Sequence, residues 1–260
     1  MNHLSAFFPD SKGVRLHYQY WEDSSKEYDR IALVLHGLGC HSGSYPNLLP
    51  TFLAARYKVV APDFAGFGKS PGERGSGGVI AMADAIEALC RRIEATEGGR
   101  EIEIVAHSLG AVAALLFLKR YPARRVRLVA VSPLLYGVPV DATPEILTAD
   151  ETQRKRFEAD PLFAASISNA LAADIDKTAK EILADPSFLE GRKAAFLVGE
   201  EDQIVPFEAL KKTVEALPLK DGRFMSFLRE RHEILGGARS DKPIAAILAW
   251  LDETRFEYRP

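Results

Sequence analysis

A serine hydroxyl is a poor nucleophile until a base in contact takes its proton. Chemistry of that kind is sought where a serine, a histidine and a carboxylate can meet, and the stretch around Ser108 is the place to begin. A β-branched run (Ile102, Ile104, Val105) passes through Ala106-His107-Ser108-Leu109-Gly110 into an apolar, helix-forming segment. This predicts a strand, a tight turn and a helix with the serine at the apex. The spacing is that of the G-x-S-x-G elbow, with Ala106 in the first glycine position. Small residues two before and two after the serine let strand and helix backbones cross closely, and the turn pushes the hydroxyl out of the sheet. A serine here can also simply cap the helix. The rest of the chain therefore has to supply a base and an acid.

The chain has six histidines. His3 and His17 fall in an opening hairpin, and His36 and His41 in or just beyond an HG turn. His107 adjoins the serine, and neighbours on a strand point to opposite faces. His232 alone follows a late strand from which a loop can swing it over Ser108, so it is the base candidate by elimination. Asp202, after the preceding strand, can orient the imidazole, although Glu200 and Glu201 lie beside it. Two backbone amides are expected to hold an oxyanion: Leu109, after the nucleophile, and Leu38, in His36-Gly37-Leu38-Gly39. Asp63, in the turn before Ser70, reads as architectural.

The elements that position these groups follow from the apolar pattern. Residues 4–8 and 14–21 flank a Pro-Asp-Ser-Lys-Gly turn and predict an antiparallel hairpin. Residues 31–35 form a continuous apolar run, as expected of a strand buried on both faces, and the mostly apolar stretches 57–61, 102–105 and 126–131 predict further strands. Helices are predicted between them over 45–56 and 79–96, and after Ser108 as far as Pro122. This alternation argues for an α/β fold: a mostly parallel eight-stranded sheet with helices on both faces. Functional loops then lie at the carboxyl ends of the strands, where Gly37, Ser108 and Asp202 fall. The rhythm stops after Pro133. Residues 134–191 hold no convincing strand and predict helices at 151–158, 163–173 and 175–183. Strands at 194–198 and 223–228, with helices at 207–216 and 241–254, restore the pattern. The expected organisation is a core over 1–133 and 192–260, with an all-helical lid inserted at 134–191.

Bulk properties narrow the function. A 260-residue chain with a net charge of −3 gives no reason to expect nucleic acid as a partner. Cys40 and Cys90 suggest a reducing compartment rather than a disulfide framework. The first residues do not read as a signal peptide, and no apolar run approaches the ~20 residues of a membrane span. The expectation is a cytoplasmic protein, monomer or homodimer. Metal ligands do not cluster, and the glycines over 72–78 lack the Lys-Ser/Thr of a phosphate loop, so neither a metal nor an organic cofactor is implied.

Several motifs add a resemblance. The segments 36–45 (HGLGCHSGSY), 62–70 (PDFAGFGKS) and 106–110 (AHSLG) resemble the α/β-hydrolase superfamily. Leu147-Thr148-x-Asp150, Glu158-Ala159-Asp160-Pro161-Leu162 and Arg231-His232-Glu233-Ile234-Leu235 are similar to its monoacylglycerol lipase and lysophospholipase group, also catalogued with serine aminopeptidase-like hydrolases. The order Ser108, Asp202, His232 matches that superfamily. The run 199–206 (GEEDQIVP) resembles its acid loop and favours Asp202 over the two glutamates. The resemblance implies the α/β-hydrolase fold and hydrolysis of a carboxylic ester of a lipid-like substrate through an acyl-enzyme. Ser44 and Cys40 depart from the arginine and glutamate frequent in the group, which bears on head-group preference.

A lid could form an acyl pocket from Leu134, Leu135, Phe163, Ile167 and Leu171, with Ile204 and Val205 on the core side. Exposed lid apolars could touch a membrane surface transiently, and Cys40 could place a thiol near the entrance. The rival readings are an aminopeptidase or a C–C bond hydrolase on the same fold, and a non-catalytic ligand-binding member. Dehalogenases and epoxide hydrolases are disfavoured because the elbow carries serine.

Overall fold

A computed structural model describes residues 1–25, 27–138, 141 and 143–254. Strands β1 (Asn2–Pro9) and β2 (Arg15–Glu22) form the predicted hairpin. Strands β3 (Arg30–Leu35), β4 (Tyr57–Pro62), β5 (Glu101–His107), β6 (Arg127–Val131), β7 (Lys193–Gly199) and β8 (Asp221–Phe227) complete one sheet. Its order is β1-β2-β4-β3-β5-β6-β7-β8. The pairs β1–β2 and β2–β4 are antiparallel and every later pair is parallel. All residues of β3, β4, β6 and β7 are buried, which is why those strands read as mostly apolar stretches instead of alternating ones.

Helix α1 (Leu48–Ala54) carries the chain from β3 outward to β4, whereas α2 (Val79–Glu97) and α3 (Leu109–Arg120) carry it the other way. Right-handed crossovers in opposite directions put α1 on one face and α2 and α3 on the other. The packing agrees: α1 contacts the closing helix α8 (Asp241–Glu253), and α2 contacts α3. The chain reverses direction beside β3 and β5, and there the loops at the carboxyl ends part to leave room for a site. Every residue of α3 from Leu109 to Leu118 is buried, so its apolar character on all sides reflects a helix enclosed by the sheet and other helices.

Between β6 and β7 lie α4 (Pro144–Leu147), α5 (Glu151–Ala159) and α6 (Asn169–Ala184), with no further strand of the sheet among the described residues. Capping explains the starts of α5 and α6. The Asp150 side chain accepts from Gln153 N–H, and the Ser168 side chain accepts from Leu171 N–H. The second cap corrects the predicted helices at 163–173 and 175–183. They are one helix beginning at Asn169, and the chain before it is tied elsewhere, with Ala164 N–H donating to Gly39 O at 2.9 Å. Helix α1 is likewise shorter than the predicted 45–56. Pro46 biases Tyr45 out of the helical region, and Arg56 (φ 63°) ends the helix in a left-handed conformation. The inserted helices also cap the core: Asp174 Oδ2 of α6 accepts from Val79 N–H at the start of α2, at 2.7 Å. Helix α7 (Phe207–Ala216) joins β7 to β8.

The β5–α3 turn has no spare room at Gly110. A Cβ there would lie 2.7 Å from both Leu35 O and His36 O, backbone atoms at the end of β3. Gly110→Ala should therefore lower the unfolding free energy by about 1–3 kcal/mol, the usual cost of overpacking a rigid core. Urea denaturation would show a lower midpoint with an unchanged slope.

Candidate active site

Ser108 follows the last residue of β5 and precedes the first of α3, with φ 53° and ψ −113°. Few non-glycine residues adopt a positive φ, and such a conformation costs of order 1–3 kcal/mol unless its surroundings impose it. Here they do. Ser108 N–H donates to Val131 O at 2.8 Å, fixing the turn to β6, while Gly110 lets α3 leave beneath the end of β3.

The three sequence candidates converge. Ser108 Oγ lies 2.8 Å from His232 Nε2, and His232 Nδ1 lies 2.9 Å from Asp202 Oδ2 and 3.2 Å from Oδ1. A carboxylate only accepts, so Nδ1 carries the proton and Nε2 is the basic nitrogen facing the hydroxyl. Asp202 Oδ1 also accepts from Ile204 N–H at 2.8 Å and Val205 N–H at 2.9 Å. Burial pushes the Asp202 carboxyl up, but the His232 imidazole and these two amides outweigh it and hold it below the usual carboxylate range. It thus stays ionised. Glu200 and Glu201 are both exposed, and Glu200 accepts from Ser226 Oγ instead.

Leu38 and Leu109 are buried, Leu109 as the first residue of α3 and Leu38 inside a turn closed by Cys40 N–H donating to Gly37 O. Among the described residues neither amide finds an acceptor. A Cβ on Gly37 would come within 3.0 Å of Ser108 Cβ, so this turn passes directly against the nucleophile candidate. The other histidines have structural partners. His36 donates through Nδ1 to Gly37 O and accepts from Phe64 N–H; burial lowers its pKa to about 4, so it is neutral. His41 pairs with Asp160 at 2.8 Å. His3 contacts Gln19.

His17 forms a second array with triad distances, 2.6 Å from Ser5 Oγ and 2.7 Å from Asp63 Oδ2. Ser5 lies within strand β1, away from any strand–helix turn, so no helix-terminal amides converge on it. Asp63 further accepts from Ser42 N–H and Lys69 N–H, as suits a residue that ties loops together. Contact distances alone do not make a nucleophile. The strained turn and the free amides set Ser108 apart.

Tertiary structure adds residues that sequence reasoning missed. His107 does not turn away from the site. Its Nε2 donates to His232 O at 3.2 Å, and its Nδ1 faces Tyr45 Oη at 3.0 Å. Ser132 Oγ donates to the same His232 carbonyl at 2.8 Å, and Gly37 N–H donates to Tyr45 Oη at 3.0 Å. A chain of hydrogen bonds thus joins the HG turn to the loop that carries the base. Burial, reinforced by the neighbouring His232, lowers His107 to about 3, which keeps its ring neutral and makes it a donor to carbonyl oxygen rather than a competing base. Only the adjacency of His107 to Ser108 was visible beforehand.

The pocket over Ser108 is lined by Leu38, Cys40, His107, Leu134, Leu147, Ile204, His232 and Glu233. Leu134 and Ile204 of the expected acyl wall are present. Leu135, Ile167, Leu171 and Val205 are instead buried in the hydrophobic core, and Phe163 packs on Phe157 with ring centres 5.0 Å apart. Core packing explains their apolar character without a pocket. The described large apolar side chains of the inserted segment are buried or partly buried. Among the described residues the exposed large apolar side chains are Met1, Leu4, Phe7, Val14, Ile80 and Leu228, none of them between β6 and β7. Cys40 lines the pocket as a buried thiol whose pKa burial raises, so it is no reactive thiolate. Among the described residues no group of His, Cys, Asp and Glu is placed to hold a metal, and no helix is long and apolar enough to cross a membrane.

Comparison with known proteins sets this geometry in a family. Residues 26–144 and 136–238 match the model of the family described as serine aminopeptidase, S33. The human protein named monoglyceride lipase is 28% identical over 140 residues, covering 52% of this chain and 44% of that one. The Arabidopsis thaliana protein named probable lysophospholipase BODYGUARD 2 is 27% identical over 168 residues, covering 63% of this chain and 35% of its own. The crystal structure of Paleococcus ferrophilus monoacylglycerol lipase is 25% identical with a TM-score of 0.78, covering 96% of this chain and 98% of that one. The chain spans about half the length, or less, of the curated relatives it matches. With the elbow, the strand order and the family match in agreement, the chain belongs to the serine aminopeptidase S33 family of α/β-hydrolases.

Proposed function

We propose that the protein is a serine hydrolase that cleaves a carboxylic ester of a lipid-like substrate, of the monoacylglycerol or lysophospholipid class, through an acyl-enzyme. The observation that carries this reading is the Ser108–His232–Asp202 array at a strained strand–helix turn beside two unclaimed amides. His232 Nε2 takes the Ser108 proton as Oγ attacks the ester carbonyl. The Leu38 and Leu109 amides receive the oxyanion, each such donor being worth on the order of 10²–10³ in rate. His232 then returns the proton to the leaving alcohol, and water enters by the reverse route to release the acid. Asp202 remains ionised and stabilises the imidazolium.

The similarity to proteins named monoglyceride lipase and lysophospholipase supports a lipid ester over an amide. We take residues 1–133 and 192–260 as the catalytic core and 134–191 as a lid. Two contacts support the lid: Leu147 O accepts from Glu233 N–H, and Gly39 O accepts from Ala164 N–H, which ties the segment across both sides of the pocket. Leu134 and Ile204 would meet the acyl chain.

Ser108→Ala should abolish labelling by a fluorophosphonate probe and cut ester hydrolysis by about 10³-fold or more, with an unchanged circular dichroism spectrum. Sustained turnover of p-nitrophenyl esters by this variant would sink the assignment. Asp202→Asn should keep the fold but lower kcat by about 10⁴, because the amide can donate to Nδ1 and favour the wrong tautomer. Comparing p-nitrophenyl acyl esters with amino-acid anilides on the wild type separates esterase from aminopeptidase, with turnover of the esters alone expected.

A further inference from the structure

Glu233 is the one acid in the pocket that this mechanism does not use. It follows the base directly and is 2% exposed. Its position is set from several sides. Glu233 N–H donates to Leu147 O at 2.8 Å, and its own Oε1 accepts from Leu235 N–H at 2.8 Å. The other oxygen, Oε2, has no hydrogen-bond partner among the described residues. His107 Nδ1 lies 3.5 Å away but carries no proton while Nε2 donates to His232 O, and it faces Tyr45 Oη at 3.0 Å. A buried acceptor left unpaired is costly, and native structures seldom keep one without use. This one lines the same pocket as Ser108 and His232, so a ligand in that pocket can supply the missing donor.

We propose that Glu233 binds the alcohol half of the substrate, with Oε2 accepting a hydrogen bond from a free hydroxyl of a neutral polyol ester. The proposal rests on the ester-hydrolase reading above and narrows it. An acyl chain carries no donor, so the donor must come from the alcohol. The remaining walls are mostly apolar (Leu38, Leu134, Leu147, Ile204), and a phosphate brought among them would sit next to a carboxyl oxygen with no cation to offset it. Burial pushes the Glu233 carboxyl up to about 7, so near neutrality it is in good part the uncharged acid. That state suits a hydroxyl, to which it can both accept and donate, and offers no ion pair to an ammonium group.

The test compares kcat/KM for a 1-monoacylglycerol with that for the methyl ester of the same fatty acid, in the wild type, Glu233→Leu and Glu233→Gln. The ratio of the two should fall by about 10–100-fold in Glu233→Leu, chiefly through KM for the monoacylglycerol, as when a site built for a hydroxyl loses its partner. Glu233→Gln keeps its amide oxygen on Leu235 N–H and places an NH2 group at the Oε2 position, where it can donate to the hydroxyl oxygen, and should retain most of the ratio. An unchanged ratio in Glu233→Leu overturns the proposal, as does an equal loss in both variants. A fall in both substrates by the same factor would reveal a residue that only positions His232. Should Glu233→Leu fail to fold, the wild type decides alone. It should prefer a monoacylglycerol over a lysophosphatidylglycerol of the same acyl chain by about 10-fold or more, and the opposite preference overturns the assignment. Failure of the underlying reading looks different: the wild type would hydrolyse neither ester and resist the fluorophosphonate.

Discussion

The constraint on which the structure depends is the crossing of the β5–α3 turn under the end of β3. Ser108 holds a positive φ because backbone on several sides leaves it no alternative: Val131 takes its amide, and Leu35 and His36 press on Gly110. The strain is of order 1–3 kcal/mol, and the buried strands and α3 around it supply the packing that bears it. In return the hydroxyl stands clear of the sheet. The first amide of α3 and the amide of Leu38 in the adjoining HG turn are left without acceptors among the described residues.

Burial decides the electrostatics of the same region. Histidines 36 and 107 are held neutral by desolvation, whereas Asp202 is held charged because an imidazole and two amides outweigh desolvation. The outcome is one ionised carboxylate and one basic nitrogen aligned on one hydroxyl. The neighbouring imidazoles have both ring nitrogens engaged elsewhere, His36 with Gly37 O and Phe64 N–H, His107 with His232 O and Tyr45 Oη. The Ser5–His17–Asp63 array has contacts just as short but no strained turn, and Asp63 there gathers loop amides. Its existence shows that the geometry around a serine matters more than its distance to a histidine.

The segment between β6 and β7 is stitched to both sides of the pocket. Leu147 meets the loop after β8, Ala164 meets the HG turn, and Asp174 caps α2. Its apolar side chains are mostly spent on this attachment, with Leu147 left at the pocket beside Leu134. Helical spacing of apolar residues tells that one face is buried, not what it is buried against. That is why Ile167 and Leu171 read as pocket candidates and proved to be core.

What the sequence by itself determined is local or periodic. Mostly apolar stretches marked the parallel strands, small residues around Ser108 marked the elbow, and Asp202 and His232 followed late strands. Each is a consequence of backbone sterics or of burial on both faces, which act within a few residues. Tertiary structure alone decided which side chains meet across the loops. His107 turns toward the base loop, Tyr45 links it to the HG turn, Ser132 ties the base loop to the end of β6, and Glu233 keeps one oxygen unpaired among the described residues in the pocket that Ser108 lines. These contacts join residues up to 125 positions apart. No local pattern encodes them, because the direction of a loop side chain is set by what packs against it.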